Sequence, residues 1–65
     1  MMKLYIYNIE DNTHVATITG NDNVACEAEA YDAYGSGDYG WTYSPAFGFS
    51  GGLEENGDAE EHEIK

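Results

Sequence analysis

The sequence predicts a small α+β domain in which one helix packs on one face of a three-stranded antiparallel sheet, in the order ββαβ. Two alternating segments near the N-terminus and one aromatic segment further on have the pattern of strands, and an Ala-rich segment between them has that of a helix. Two short strands are not stable alone in water, so the helix must cover the sheet. We expect residues 1–53 to form this single domain and residues 54–65 to be an acidic, flexible tail.

The first strand is predicted over residues 3–9, KLYIYNI. Side chains alternate between the two faces of a strand, which places Leu4 and Ile6 on one face and Tyr5 and Tyr7 on the other. The helix is expected to cover the Leu4 and Ile6 face.

The second strand is predicted over residues 14–19, HVATIT, after a polar connection at residues 10–13. A four-residue connection between two alternating segments indicates an antiparallel hairpin. The pattern leaves two registers open, with the core face formed either by Val15 or by His14, Ala16 and Ile18.

The helix is predicted over residues 23–34, NVACEAEAYDAY. Its four Ala residues favour helix, and Asp22 is one of the residue types whose side chain caps orphan N–H groups at a helix start. Gly35 follows the last helical residue, where a helix commonly ends. Cys26, the only cysteine, cannot form an internal disulfide and is expected to pack as a small apolar residue.

The third strand is predicted over residues 39–43, YGWTY, with Trp41 and the two flanking Tyr on one face. Pro45 has no N–H to donate, so it prevents extension as a central strand. The following Gly-rich segment carries Phe47 and Phe49, which are expected to fold back over the sheet.

The chain is strongly acidic, with thirteen Asp and Glu against two Lys and a net charge of −11. Residues 54–65 contain six of these acids and Lys65, so the first 53 residues keep seven acids against Lys3, or −6. The predicted domain is therefore acidic without its tail. Such a charge repels nucleic acid and anionic membranes and attracts basic surfaces.

Several function classes are disfavoured by the same composition. No apolar segment is long enough to span a membrane, and the N-terminus lacks the pattern of a signal peptide. The Gly-rich residues 35–40 lack the Lys of a phosphate loop, and residues 58–63 lack the spacing of a calcium loop. A chain of 65 residues offers little concave volume for catalysis. We expect a cytoplasmic, non-enzymatic protein without a cofactor or metal.

Carboxylates in and around the helix are the main candidate site. The helix has no Lys or Arg, so its like charges lower helix stability by a few tenths of a kcal/mol rather than raising it. Solubility alone could explain an acidic face, but carboxylates about 5–10 Å apart can also imitate phosphates. The candidate acidic residues are Asp22, Glu27, Glu29, Asp32, Asp38, Glu10 and Asp11.

Aromatic residues form an alternative site. Tyr and Trp are favoured anchors in protein interfaces, although a small core also uses aromatics because each buries a large area. Tyr5 and Tyr7, on the strand face away from the helix, and Trp41 could bind a protein partner, as in an antitoxin-like or phage accessory protein. The same aromatics could stack on bases, but two Lys cannot supply a cationic groove for phosphates.

The chain also resembles the small acidic anti-CRISPR proteins of phages and mobile elements. The resemblance extends over about residues 2–50, in the opening MKLYIYNIEDNTHVATITG, the helix ACEAEAYDAY and the segment DYGWTYSPAFGF. It is greatest to inhibitors of type I surveillance complexes, type I-C among them. We expect a monomer or weak homo-oligomer in the host bacterial cytoplasm, and the resemblance implies a non-enzymatic protein. Such a protein would occupy a basic DNA-binding groove of a CRISPR–Cas effector subunit and block target DNA.

Overall fold

The computed structural model describes residues 1–64 and confirms a small α+β domain with a single helix in that range. The sheet, however, has four strands and is mixed. The elements are β1 (Met2–Asn8), β2 (His14–Gly20), α1 (Asn23–Tyr34), β3 (Tyr39–Thr42) and β4 (Glu60–Glu63).

The strands lie side by side in the order β3-β1-β2-β4. β1 is antiparallel to both β2 and β3, as expected for the predicted part of the sheet. β4 is parallel to β2, with Glu60 opposite Ala16 and Glu63 opposite Thr19. The prediction of a three-stranded antiparallel sheet was therefore wrong in both strand number and strand direction.

β4 comes from residues 54–65, the segment predicted to be a flexible tail. Its sequence, Glu-Glu-His-Glu, contains no residue typical of strands, so the hydrophobic pattern gave no signal. Charged residues are nevertheless common on edge strands, because they prevent pairing with other chains. Lys65, the last residue of that segment, lies outside the described residues.

The connection to β4 is also attached to the domain. The Glu54 N–H donates to the Asn12 carbonyl at 3.0 Å, and the His14 N–H donates to the Glu54 carbonyl at 3.0 Å. Leu53, just before it, is buried. After β4, the Ile64 N–H donates to the Thr19 carbonyl at 2.8 Å. Backbone pairing thus holds this acidic segment at both of its ends.

The hydrophobic core lies between α1 and one face of the sheet. Its fully buried residues are Leu4, Ile6, Ala16, Ile18, Cys26 and Ala30. The prediction that Leu4 and Ile6 face the helix is confirmed. Cys26 is the buried apolar residue expected, and burial raises the pKa of its thiol, which keeps it protonated and unreactive.

A β-bulge in β2 decides the register that the sequence left open. Ile6 lies opposite Ala16, but Tyr7 lies opposite His14, so Val15 is an extra residue. Val15 packs against the core together with the β2 residues that face α1. The bulge turns the His14 side chain to the opposite sheet face while Ala16 and Ile18 stay in the core, a combination that neither of the two predicted registers allowed.

On the sheet face away from α1, a loop provides a second, smaller cover. The ring centroids of Tyr5, His14 and Phe47 are 5.3–5.6 Å from one another. The expectation that Phe47 folds back over the sheet is confirmed, whereas Phe49 is 75% exposed. The loop reverses at Gly48, whose φ of 77° is strained for residues with a side chain.

Candidate functional site

The fold gathers many of the acidic side chains at one end of the sheet. The Ile9 N–H donates to the Asp38 carbonyl at 3.1 Å, which brings the β1–β2 turn beside the α1–β3 loop. The bridge between Thr13 and Glu54 adds the segment before β4 to the same end. We call this region the acidic end. It comprises Glu10, Asp11, Asp32, Asp38, Glu54, Glu55, Asp58 and Glu60.

Other features of the fold make this end more negative. α1 ends here, at Tyr34, and a helix C-terminus carries a partial charge of about −0.5. Lys3, the only Lys or Arg within residues 1–64, lies opposite Thr19, towards the other end of the sheet. The N-terminal amine is at that other end too, because β1 starts there. The molecule is therefore polarised along its strands.

Three of the acids predicted as binding residues have partners within the domain. Asp22 is the N-cap of α1, with its carboxylate accepting from the Ala25 N–H at 2.8 Å. Glu27 accepts from the Tyr43 hydroxyl at 3.3 Å. Glu29 lies 3.1 Å from Nδ1 of His62. These contacts give each of the three a structural role besides any role in binding.

The other four predicted acids belong to the acidic end. Asp11 accepts from the Thr13 N–H at 3.0 Å, a turn contact that lowers the pKa of the Asp11 carboxyl. Glu10, Asp32 and Asp38 are exposed, and their carboxylates make no hydrogen bond within residues 1–64. These three side chains are available to a partner at no cost to the fold.

Sequence reasoning missed a polar cluster between α1 and β4. The Tyr34 hydroxyl donates to Glu60 at 2.8 Å and lies 3.1 Å from Nε2 of His62. The other ring nitrogen of His62 faces Glu29. A carboxylate oxygen lies within 3.5 Å of each ring nitrogen of this histidine, from Glu29 at Nδ1 and from Glu60 at Nε2. The cluster joins β4 to the helix, and it could not be foreseen because β4 was not predicted.

The cluster gives the fold a defined dependence on alkaline pH. Burial, followed by the hydrogen bond to Glu60 and its charge, raises the pKa of Tyr34 from 10.0 to about 12. The folded state therefore holds the phenol proton more tightly than the unfolded chain does. That contribution to stability is fully present below pH 10 and is lost as the pH rises to 12.

Replacing Tyr34 by Phe is expected to remove this dependence. At pH 7 the variant should lose about 1–3 kcal/mol of unfolding free energy, since a hydrogen bond to a charged group disappears. Between pH 10 and pH 12 the difference from wild type should shrink. Urea unfolding at several pH values measures both effects, with the exposed Tyr31→Phe as a control. A constant difference up to pH 12 would contradict the assignment.

The three aromatics predicted as an alternative site are all half-buried. The Tyr5 ring packs against His14 and Phe47, and the Tyr7 ring lies so close to Gly40 that a Cβ there would overlap it. Trp41 faces α1, where its ring meets Tyr31. The large hydrophobic side chains that the fold leaves most exposed are others, among them Val24 at 72%, Tyr31 at 69% and Phe49 at 75%.

The loop between β3 and β4 contributes to two concave regions, the smaller of which, about 190 Å³, also borders Tyr7, Asn12 and Thr42. An open groove of about 780 Å³ is lined by Phe47, Phe49 and Leu53, with Glu54 and Glu55 at its edge. It contains neither a histidine nor a cysteine that could serve as base or nucleophile. Within residues 1–64, no cluster of three or more His, Cys, Asp or Glu side chains is arranged to hold a metal ion.

Comparisons with protein-family models, with curated proteins and with solved structures gave no match to the chain. In the described part of the chain, no helix has the length and apolar character needed to cross a membrane.

Proposed function

We propose that this protein is an anti-CRISPR-type inhibitor that imitates DNA. Its acidic end occupies a basic DNA-binding groove of a bacterial CRISPR–Cas effector complex and prevents target DNA from binding. The protein acts in the host cytoplasm as a stoichiometric binder and not as an enzyme. The observation that carries this proposal is the convergence of acids from four separate segments of the chain on one end of the molecule.

Three carboxylates of the acidic end have no partner among the described residues, which supports DNA mimicry over a purely structural role for these acids. Glu10, Asp32 and Asp38 make no hydrogen bond or ion pair with their side chains in the described residues. Glu60, at the start of β4, adds a carboxylate to the same end of the sheet. A cluster of exposed carboxylates presents a basic groove with negative charges like those of a phosphate backbone.

The choice of partner rests on the resemblance of residues 2–50 to the anti-CRISPR proteins. Within that resemblance, the similarity is to inhibitors of type I surveillance complexes, so a type I-C complex is the first partner to test. The groove that recognises the protospacer-adjacent motif is a suitable target, since it must bind duplex DNA before guide pairing starts.

The proposal is tested by competition for DNA. A purified type I-C surveillance complex with its guide RNA is mixed with labelled target DNA and increasing amounts of this protein. We expect DNA binding to fall to background, with an apparent inhibition constant that rises in proportion to DNA concentration. Unchanged DNA binding, or inhibition that DNA cannot overcome, would argue against occupation of the DNA groove.

The alternative, an interaction module that binds through Tyr5, Tyr7 and Trp41, has less structural support. All three rings pack against other residues of the domain and are half-buried, so they offer little area to a partner. An aromatic contribution to binding is better sought among the residues that the fold leaves exposed.

A further inference from the structure

We propose that the outward face of α1 is a second part of the binding surface, which packs against an apolar element in the basic groove of the partner. This inference rests on the proposed function and specifies how the inhibitor is held. We call the surface the outer patch. It comprises the exposed residues Val24, Ala28, Tyr31 and Tyr43, with the half-buried Trp41 ring supporting Tyr31.

The outer patch begins with a stripe along the helix. Val24, Ala28 and Tyr31 follow the i, i+4, i+7 spacing that places side chains on one helix face. That face points away from the core, which α1 contacts through Cys26 and Ala30 on its opposite side. A solvent-facing helix surface is normally polar, yet Val24 and Tyr31 are about 70% exposed. The Tyr31 ring also packs on Trp41, but most of the surface of Val24 and Tyr31 remains in water, so a partner is the better explanation.

Two aromatic side chains, Trp41 of β3 and Tyr43 just after it, contact the helix beside this stripe and fix its side chains in place. The Tyr31 and Trp41 rings meet edge to face, with centroids 5.0 Å apart. The single Tyr43 hydroxyl proton is shared between the Asn23 carbonyl and the Glu27 carboxylate, each 3.3 Å from the hydroxyl oxygen. Tyr43 is itself 40% exposed. Aromatic side chains that are ordered before binding lose little conformational entropy when a partner covers them.

Charge determines what can cover the outer patch. Glu27 and Asp32 flank the stripe on its two sides, at about 100° per residue around the helix. A second copy of the chain would bring another net charge of −11 against this one, so self-association here is disfavoured. A partner with Lys or Arg around an apolar centre matches both features. Asp32 also belongs to the acidic end, which makes the two surfaces continuous.

The test compares two apolar variants of equal charge. Val24→Ser/Tyr31→Ser removes the centre of the outer patch, and Phe49→Ser removes an exposed ring on the loop that covers the opposite sheet face. Affinity for the purified type I-C surveillance complex is measured at several salt concentrations. Circular dichroism confirms that both variants remain folded.

We expect Val24→Ser/Tyr31→Ser to bind at least about thirtyfold more weakly, as for the loss of an interface hot spot. The salt dependence of its affinity should equal that of wild type, because no charge has changed. Phe49→Ser should bind within about threefold of wild type.

The two proposals fail in different ways. If wild type binds the complex and Val24→Ser/Tyr31→Ser binds equally well, the outer patch is not an interface, while mimicry by the acidic end stands. If wild type does not bind the complex at all, the proposed function fails and this inference fails with it. Equal loss in the Phe49→Ser control would also overturn the assignment to the outer patch.

Discussion

A chain that ends at Gly57 is expected to lose a large part of its unfolding free energy at 25 °C. A 65-residue domain has a total unfolding free energy of about 3–10 kcal/mol. The truncation removes β4 and with it the hydrogen-bonding partner of one edge of β2. It also removes Ile64, which packs against the core, and His62, which joins β4 to the helix. We expect these losses to total about 2–4 kcal/mol, from half-buried apolar area and broken hydrogen bonds.

Urea or thermal unfolding followed by circular dichroism measures this loss. Glu61→Gln/Glu63→Gln is a suitable control, because it removes two exposed charges of β4 and leaves its backbone in place. The control should unfold within about 0.5 kcal/mol of wild type, as is usual for surface substitutions. A truncated chain as stable as wild type would show that residues 58–65 add nothing to the stability of the fold, as expected of part of the flexible tail predicted over residues 54–65.

Reversing charge at the acidic end is expected to abolish inhibition. Glu10→Lys/Asp38→Lys replaces two carboxylates that have no hydrogen-bond partner in the described residues, so the fold should be unaffected. The two positions are adjacent in space through the hydrogen bond from Ile9 to Asp38. Cations placed against a basic groove repel it, at a cost of several kcal/mol. Affinity for the surveillance complex should fall by about a hundredfold or more.

A matched control separates location from total charge. Glu61→Lys/Glu63→Lys also changes the net charge by +4, from −11 to −7, but on exposed positions of the sheet face away from α1. If only the net charge of the protein attracted the partner, both variants would lose affinity equally. If the acidic end is the binding site, the control should lose much less affinity. Equal affinities for the two variants would contradict the assignment of the site.

The sequence predicted those parts of the fold whose hydrophobic pattern was strong. Leu4 and Ile6 alternate with polar and aromatic neighbours, and the Ala-rich helix is bounded by Asp22 and Gly35 as expected. The His14 orientation could not be predicted, because it depends on one unpaired residue in a bulge. β4 could not be predicted either, since pairing with β2 and its cluster with Tyr34 compensate for a sequence with poor strand propensity.

The candidate site was likewise predicted from the sequence only in part. Composition alone identified the acids, but only the fold shows which of them converge. Asp22 and Glu29 were predicted as binding residues and have partners inside the domain, whereas Glu54 and Glu60 come from the presumed tail and join the acidic end. The sequence did not show that Val24 and Tyr31 of α1 are exposed, because the helix carries small or apolar residues on nearly all sides.

The central claim is that the acidic end takes the place of DNA, and the salt dependence of the complex tests it most directly. The dissociation constant of wild-type protein with the type I-C surveillance complex is measured from 50 to 500 mM NaCl. Surface charges are screened within about 10 Å at 0.1 M salt, so we expect affinity to fall at least about tenfold across this range. An affinity that does not change with salt would show that the carboxylates face solvent and that apolar contacts alone hold the complex.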